Sequence, residues 1–255
     1  MVGQRPERAW LLAAFAAFGL GCSSSEDELA ESPTWSWTIG DGPLAPVSGR
    51  AFVFGPSAGA SLEGATVAAA EAPEYQTTVG QDGSFELQVP SGAPVSFRLD
   101  QPGFYPNQSA TLPVGPDGVT LLGFQAPTES TIGALAIVAS IYVDPELCQI
   151  STTVSRAGTE PYGGVGLGEP DVVVTIEPDV PTDPIYFEYA DESLIYPDPD
   201  LMATTIDGGV VIPNVPPGEY RLTAIKEGMA FTPVDIRCRA GTLVNAAPPH
   251  GLQEI

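Results

Sequence analysis

The sequence predicts an all-β protein made of two β-sandwiches in tandem behind an exported N-terminus, and three observations carry that prediction. The chain holds 28 Gly and 27 Pro among 255 residues, too many for long helices and suited to short strands joined by tight turns. Hydrophobic residues make up 43% of it, enough for a core and too many for disorder throughout. One pattern of alternating strands and turns also occurs twice, at about 47–124 and about 165–245.

Arg5 and Arg8 form a positive n-region, and the apolar run from Ala9 to Phe18 has signal-peptide length, about half of what a membrane-spanning helix needs. Residues 1–21 are read as a signal peptide. The following Gly19-Leu20-Gly21-Cys22 resembles the lipobox of bacterial lipoproteins, in which small residues precede a cysteine that is diacylated, cleaved at its N-terminal side and acylated again. It departs from that pattern in having Gly19 three residues before the cysteine and Leu20 one step late. The resemblance implies lipidation of Cys22 and attachment to the membrane through an N-terminal lipid anchor. The alternative is an ordinary secretory signal that leaves Cys22 a free thiol. Among similar Gram-negative lipoproteins a residue other than Asp after the cysteine, here Ser23, goes with the outer membrane, so the implied location is extracytoplasmic, in the cell envelope. Residues 22–43 begin Cys22-Ser23-Ser24-Ser25-Glu26-Asp27-Glu28 and are read as a disordered tether, since that opening run can bury little apolar area.

The first sandwich is placed at 44–126. Phe85, Leu87 and Val89 alternate with Ser84, Glu86 and Gln88, and Val95, Phe97 and Leu99 alternate with Ser96 and Arg98, the period of strands covered on one face. Asp82-Gly83 precedes the first of these strands, where glycine can take the positive φ of a hairpin turn. The second sandwich is placed at 147–255 and repeats the scheme with Asp207-Gly208-Gly209, Val210-Val211-Ile212, Val215-Pro216-Pro217-Gly218 and Tyr220-Arg221-Leu222. Asp82 to Gly103 and Asp207 to Gly228 span the same distance.

A Gly-Ala-x-Val strand (Gly64 to Val67), a Thr-x-x-Asp-Gly turn and a proline–glycine loop leading into an x-Tyr-x-Leu-type strand together resemble the carboxypeptidase regulatory-like domain, a transthyretin-like β-sandwich of about seven strands. The likeness covers 47–124 well and 165–245 less well, because the second unit carries a long acidic insertion. Ala93-Pro94-Val95 departs from it, where an aromatic residue is usual after the loop. The resemblance implies an accessory module of the kind found beside peptidases, in surface receptors and in lipoproteins, with no catalytic residues of its own to carry over.

Between the units lies a connecting segment at 127–146. Ile132, Leu135, Ala136, Ala139, Tyr142 and Val143 fall at helical spacing, which predicts a short packing helix, although Ile141-Tyr142-Val143 is also strand-like. It is too short to span a bilayer and has no flanking Lys or Arg for a membrane surface.

Charge narrows the partners. Past residue 21 there remain seven basic and 31 acidic residues, a net charge of −24, which repels nucleic acid and anionic headgroups and favours solubility, cationic partners or divalent ions. Catalytic patterns fail: His250 is the single histidine and stands on an expected surface tail, and no Gly-x-Ser-x-Gly elbow, Walker loop or His-Glu-x-x-His helix occurs. Lys226, the only lysine, follows the Tyr220 strand, the wrong place for the intramolecular lysine–asparagine bond of similar-looking adhesin domains.

Two stretches offer binding chemistry. Asp191, Asp198 and Asp200 of the acidic insertion are candidate calcium ligands, without EF-hand spacing, against a solvated proline-rich loop as the alternative. Tyr186, Phe187, Tyr189 and Tyr196 offer a platform for carbohydrate or peptide, against a core stripe formed by Ile185, Phe187 and Tyr189. If Cys22 carries lipid, Cys148 and Cys238 remain as a pair in an oxidising compartment, which predicts a disulfide between an early and a late strand of the second sandwich. Two buried thiols are the alternative. No cofactor is expected. The reading is a non-enzymatic surface lipoprotein that binds an envelope protein or glycan or serves a structural role, the alternative being an accessory subunit of an exported enzyme such as a peptidase.

Overall fold

The computed structural model describes residues 36–55, 59–160, 168–191 and 194–255. The expected signal peptide, Cys22 and most of the expected tether lie outside the described residues.

The alternation in the first half becomes strands β1 (Leu44–Phe54), β2 (Thr66–Ala69), β3 (Ala72–Thr78), β4 (Ser84–Pro90), β5 (Pro94–Asp100), β6 (Asn107–Pro113) and β7 (Val119–Pro127). Phe85, Leu87 and Val89 of β4 and Val95, Phe97 and Leu99 of β5 all turn inward, the last three with no exposed surface. β1 lies between β4, antiparallel, and β7, parallel. Facing that sheet, β5 lies between β2 and β6, and β3 adds to the outer edge of β2. Helix α1 (Glu129–Val138) follows, capped by the Thr128 hydroxyl, which accepts from Thr131 N–H at 3.1 Å.

The second half runs through β8 (Cys148–Thr153), β9 (Val173–Glu177), β10 (Ile185–Asp191), β11 (Leu194–Asp198), β12 (Gly209–Val215), β13 (Gly218–Ile225), β14 (Val234–Cys238) and β15 (Leu243–Ala246). Its pairings repeat those of the first. β8 lies between β12, antiparallel, and β15, parallel, while β13 lies between β9 and β14. Loop hydrogen bonds repeat as well: Ala51 N–H donates to Gly83 O and Val154 N–H to Gly208 O, both at 2.8 Å. Val79 N–H donates to Ala65 O at 2.9 Å, and Thr204 N–H to Val172 O at 3.0 Å. The protein is an all-β assembly of two sandwiches.

The sequence pattern places only a connecting segment between the halves, and the structure adds a joint that the pattern does not show. β15 pairs in parallel with β6 as well as with β8. One nine-stranded sheet therefore runs β11-β10-β12-β8-β15-β6-β5-β2-β3 through both halves, and their buried apolar residues form one cluster. The two three-stranded sheets cover opposite faces of it. On one face Asn107 and Asn245 donate to Gln125 O of β7, and on the other Gln108 donates to Arg237 O of β14. Neighbouring residues of a strand point to opposite faces, so β6 is covered on both sides and is buried from Asn107 to Leu112.

Three expectations are corrected. The disordered tether expected over 22–43 does not extend through 36–43: Ile39 packs on the core, and Gly42 N–H donates to Ser91 O at 3.0 Å, an approach that a side chain on Gly40 or Gly42 would block. The helix expected from the apolar spacing over 130–143 stops at Val138. It buries Ala136 and Ala139 while Ile137, Val138 and Tyr142 are exposed, and Ser140 at φ 57° turns the chain out of the helix. The acidic insertion, expected as a solvated loop, is in part the β10–β11 hairpin added to β12.

Candidate functional site

Two of the candidate metal ligands, Asp198 and Asp200, lie together at the base of the β10–β11 hairpin, and the backbone of the third, Asp191, is at its tip. In the β10–β11 register Asp191 pairs with Leu194 at the hairpin tip and Asp198 pairs with Tyr186 at its base, roughly 15 Å apart along the strands. Asp198 instead accepts the Asp200 N–H at 2.9 Å, and no metal-holding group of His, Cys, Asp or Glu occurs among the described residues. The aromatic set also divides. Tyr186 is buried, its hydroxyl accepts Val174 N–H at 3.1 Å, and burial pushes the phenol above its ordinary value, while Phe187, Tyr189 and Tyr196 are not all on one open face.

Cys148 and Cys238 are bonded, with Cα atoms 5.9 Å apart. The bond runs from the start of β8 to the end of β14, tying the nine-stranded sheet to the three-stranded sheet β14-β13-β9 across the second sandwich. His250 does not hang on a surface tail. It is half-buried with Nε2–H donating to Thr120 O at 2.7 Å, a bond that ties the C-terminal segment to β7, and desolvation pushes its pKa below the ordinary 6.5.

Two charge clusters are absent from the sequence reading. Glu71, in the β2–β3 turn, has a fully buried side chain between Arg237 at 3.0 Å and Arg239 at 2.9 Å, and it also accepts Ser96 N–H. Arg239 stacks over Trp37 at 4.6 Å and donates to Gln108, so residue 36 onward, the first half and the second half meet at this point. The partners are separated by 166 and 168 residues, and no local pattern links them. The second cluster is Glu169, gripped by Lys226 and Arg156, with Lys226 also donating to Pro170 O at 2.8 Å. The Lys226 hydrogen bond, opposed by desolvation and aided by Arg156, holds the Glu169 carboxyl below its ordinary 4.5. Alignment of the two repeats is the signal that could have found it, since Leu62 and Glu169 occupy matching positions: Leu62 N–H donates to Ala51 O and Glu169 N–H to Val154 O.

A shallow cleft of about 500 Å³ lies against the outer face of β1 and β4, lined in part by Ser48, Arg50, Thr78, Ser84, Glu86 and Leu121. Among the described residues its lining carries one carboxylate, Glu86, and one guanidinium, Arg50.

No family model matches the sequence, and no curated protein matches it. Among solved structures the chain is similar to the TIE protein of Bacillus anthracis, at 11% identity and a TM-score of 0.25 over 83% of this chain and 34% of that one. This chain thus spans about a third of that protein's length. It is also similar to the shaft pilin SpaA of Lactobacillus rhamnosus GG, at 9% identity and a TM-score of 0.23 over 83% and 97% of the two chains. A minor pilin of Streptococcus agalactiae is similar at 10% identity and a TM-score of 0.26 over 82% and 95%. At such overlap these likenesses carry no argument about function. Among the described residues no helix is long and apolar enough to cross a membrane.

Proposed function

We propose that the protein is a non-catalytic module of the bacterial cell envelope, held at the outer membrane by a lipid on Cys22, that works by binding or by scaffolding. The observation that carries this reading is the employment of its reactive side chains. The cysteines of the body are bonded to each other, His250 ties down the C-terminal segment, and Lys226, Arg156, Arg237 and Arg239 are spent on Glu169 and Glu71. Groups used in this way hold the fold together rather than face a substrate. The repeated pairing of β1–β7 in β8–β15 supports the two-unit reading, and the sequence resemblance to carboxypeptidase regulatory-like domains implies an accessory module.

Two experiments test it. In cells making the full chain, Cys22→Ser should move the protein from the detergent phase to the aqueous phase; identical partitioning of the two forms rejects the lipid anchor. The purified protein should turn over none of a broad set of peptide, ester and glycoside substrates. Activity that survives repurification and disappears with a single Asp or Glu substitution rejects the non-catalytic reading.

A further inference from the structure

The two halves differ at one sheet edge. In the first, β3 covers the outer edge of β2, with Thr66 opposite Thr78, Val67 opposite Thr77 and Ala68 opposite Gln76. β9 occupies the matching place in the second half, as the paired bonds at Ala65 and Val172 show. The chain that would lie along it forms the β10–β11 hairpin on the opposing sheet instead, so β9 is a terminal strand. The stretch from Val172 to Thr204 is 18 residues longer than that from Ala65 to Val79, which is the length diverted.

The outward backbone groups of β9 belong to Val174 and Ile176, because Val173, Thr175 and Glu177 alternate with them and the Val174 N–H points away from β13 to the Tyr186 hydroxyl. A phenol oxygen satisfies one donor; it is not a strand. Proline and basic residues, two of the usual protections of an edge, are absent from it. β3 and β11, the terminal strands of the nine-stranded sheet, carry Pro73 and Pro197, whereas Val173–Glu177 contains no proline, lysine or arginine. Beside the edge, Val173 and Ile225 are opposite one another and are 42% and 58% exposed. Asp171 and Glu227 lie two residues from Val173 and Ile225 in the chain, and Glu177 and Asp179 stand at the far end of the strand, where Glu177 is opposite Arg221; all four carboxylates are exposed.

We propose that the β9 edge is a strand-addition site that takes an extended segment of a partner protein, apolar where it meets Val173 and Ile225 and flanked by lysine or arginine. The first half shows the geometry of the filled site, since β3 is such a strand on the matching edge. Charge chooses the occupant: a second copy brings its own net charge of −23 and its own acidic β9 border, and a basic segment meets that border with the opposite sign. Main-chain hydrogen bonds then supply affinity, and the apolar pair and acidic border supply selectivity.

This site deepens the binding-module reading and rests on it. The test is amide hydrogen exchange on the full chain with the capped peptide Lys-Thr-Val-Thr-Val-Thr-Lys. Saturating peptide should slow exchange at Val174 and Ile176 by about tenfold or more, and added salt should weaken the effect. The same peptide with Glu for Lys, or with alternate backbone nitrogens methylated, should give no protection. Tyr186→Phe, which frees the Val174 N–H and keeps the ring, should tighten binding by about fivefold, the worth of one ordinary hydrogen bond. Absence of protection at β9, protection of β3 or β11 instead, equal protection by the methylated peptide, or protection of β9 by self-association alone overturns the proposal. None of these outcomes touches the non-catalytic reading, which only turnover removes.

Discussion

The two halves share a main-chain plan and fill one position of it in opposite ways. Leu62 and Glu169 make matching hydrogen bonds, to Ala51 O of β1 at 3.1 Å and to Val154 O just after β8 at 2.9 Å, and both are buried, 3% and 8% exposed. Leu62 sits among apolar neighbours; Glu169 sits between Lys226 and Arg156. The matching turn aspartates diverge too. Asp82 is exposed, and hydrogen bonds from Ser84 pull its carboxyl below the ordinary value, whereas burial of Asp207 pushes its carboxyl up against the opposing bond from Gly209 N–H. The backbone pairings therefore define the fold, and a buried side chain needs only to be satisfied, by apolar contact or by charged partners.

The largest break in this comparison is the disulfide, which the first half lacks. Replacing both Cys148 and Cys238 with Ala opens a 90-residue loop and should cost about 4–5 kcal/mol by chain entropy, an upper figure, read as a fall in the denaturant midpoint with a steeper slope, because the unfolded chain expands. A cost under about 1 kcal/mol would remove the bond from the account of the second sandwich's stability.

Next come the turn glycines, both at positive φ, 82° for Gly83 and 73° for Gly208. A methyl on Gly83 would stand 3.0 Å from Ala51 O, while on Gly208 it would run into the Val154 carbonyl and Gly168. Gly83→Ala should cost about 1–2 kcal/mol from the left-handed backbone, and Gly208→Ala about 3 kcal/mol or more because backbone must also move. Equal costs would show that the second turn is no tighter than the first.

The smallest effects separate the two buried positions by pH. Leu62→Ala should cost about 2–3 kcal/mol at every pH, as an apolar truncation. Glu169→Leu should cost about 1–2 kcal/mol near neutrality, at the low end for a buried ion pair because Arg156 can return to water and Lys226 keeps the Pro170 carbonyl. The Glu169 carboxyl is held below its ordinary 4.5, so the stability it adds is present above that pH and is lost as pH falls through its folded-state value. The gap between the wild type and Glu169→Leu in chemical unfolding should therefore close on acidification; a gap that stays constant shows that the ion cluster does not stabilise the fold.

Alternation at Phe85-Leu87-Val89 and Val95-Phe97-Leu99, the two Asp-Gly turns and the repeat itself were legible, because strand period and turn conformation are set by residues a few positions apart. The cysteine pair was legible from number and strand order. The acidic insertion misled, since prolines and carboxylates read as a solvated loop while Tyr186 and Ile185 buried themselves against β12 and made a hairpin. Trp37 and Ile39 misled as well: a short stretch beside a polar segment reads as tether until Arg239 and the core are found to receive it.

The sequence by itself determined the strands, their turns, the doubling of the unit and the acidic character of the surface, all of which follow from local pattern and composition. Only the tertiary structure decided that β15 inserts between β6 and β8, that Glu71 meets Arg237 and Arg239, and that β9 lost the partner strand that β2 kept. The physical reason is distance along the chain. Hydrophobic period tells a strand which face to bury, but it is silent on which edge the strand will join, and that choice rests on groups from tens of residues apart, at β9, to 166 and 168 apart, at Glu71.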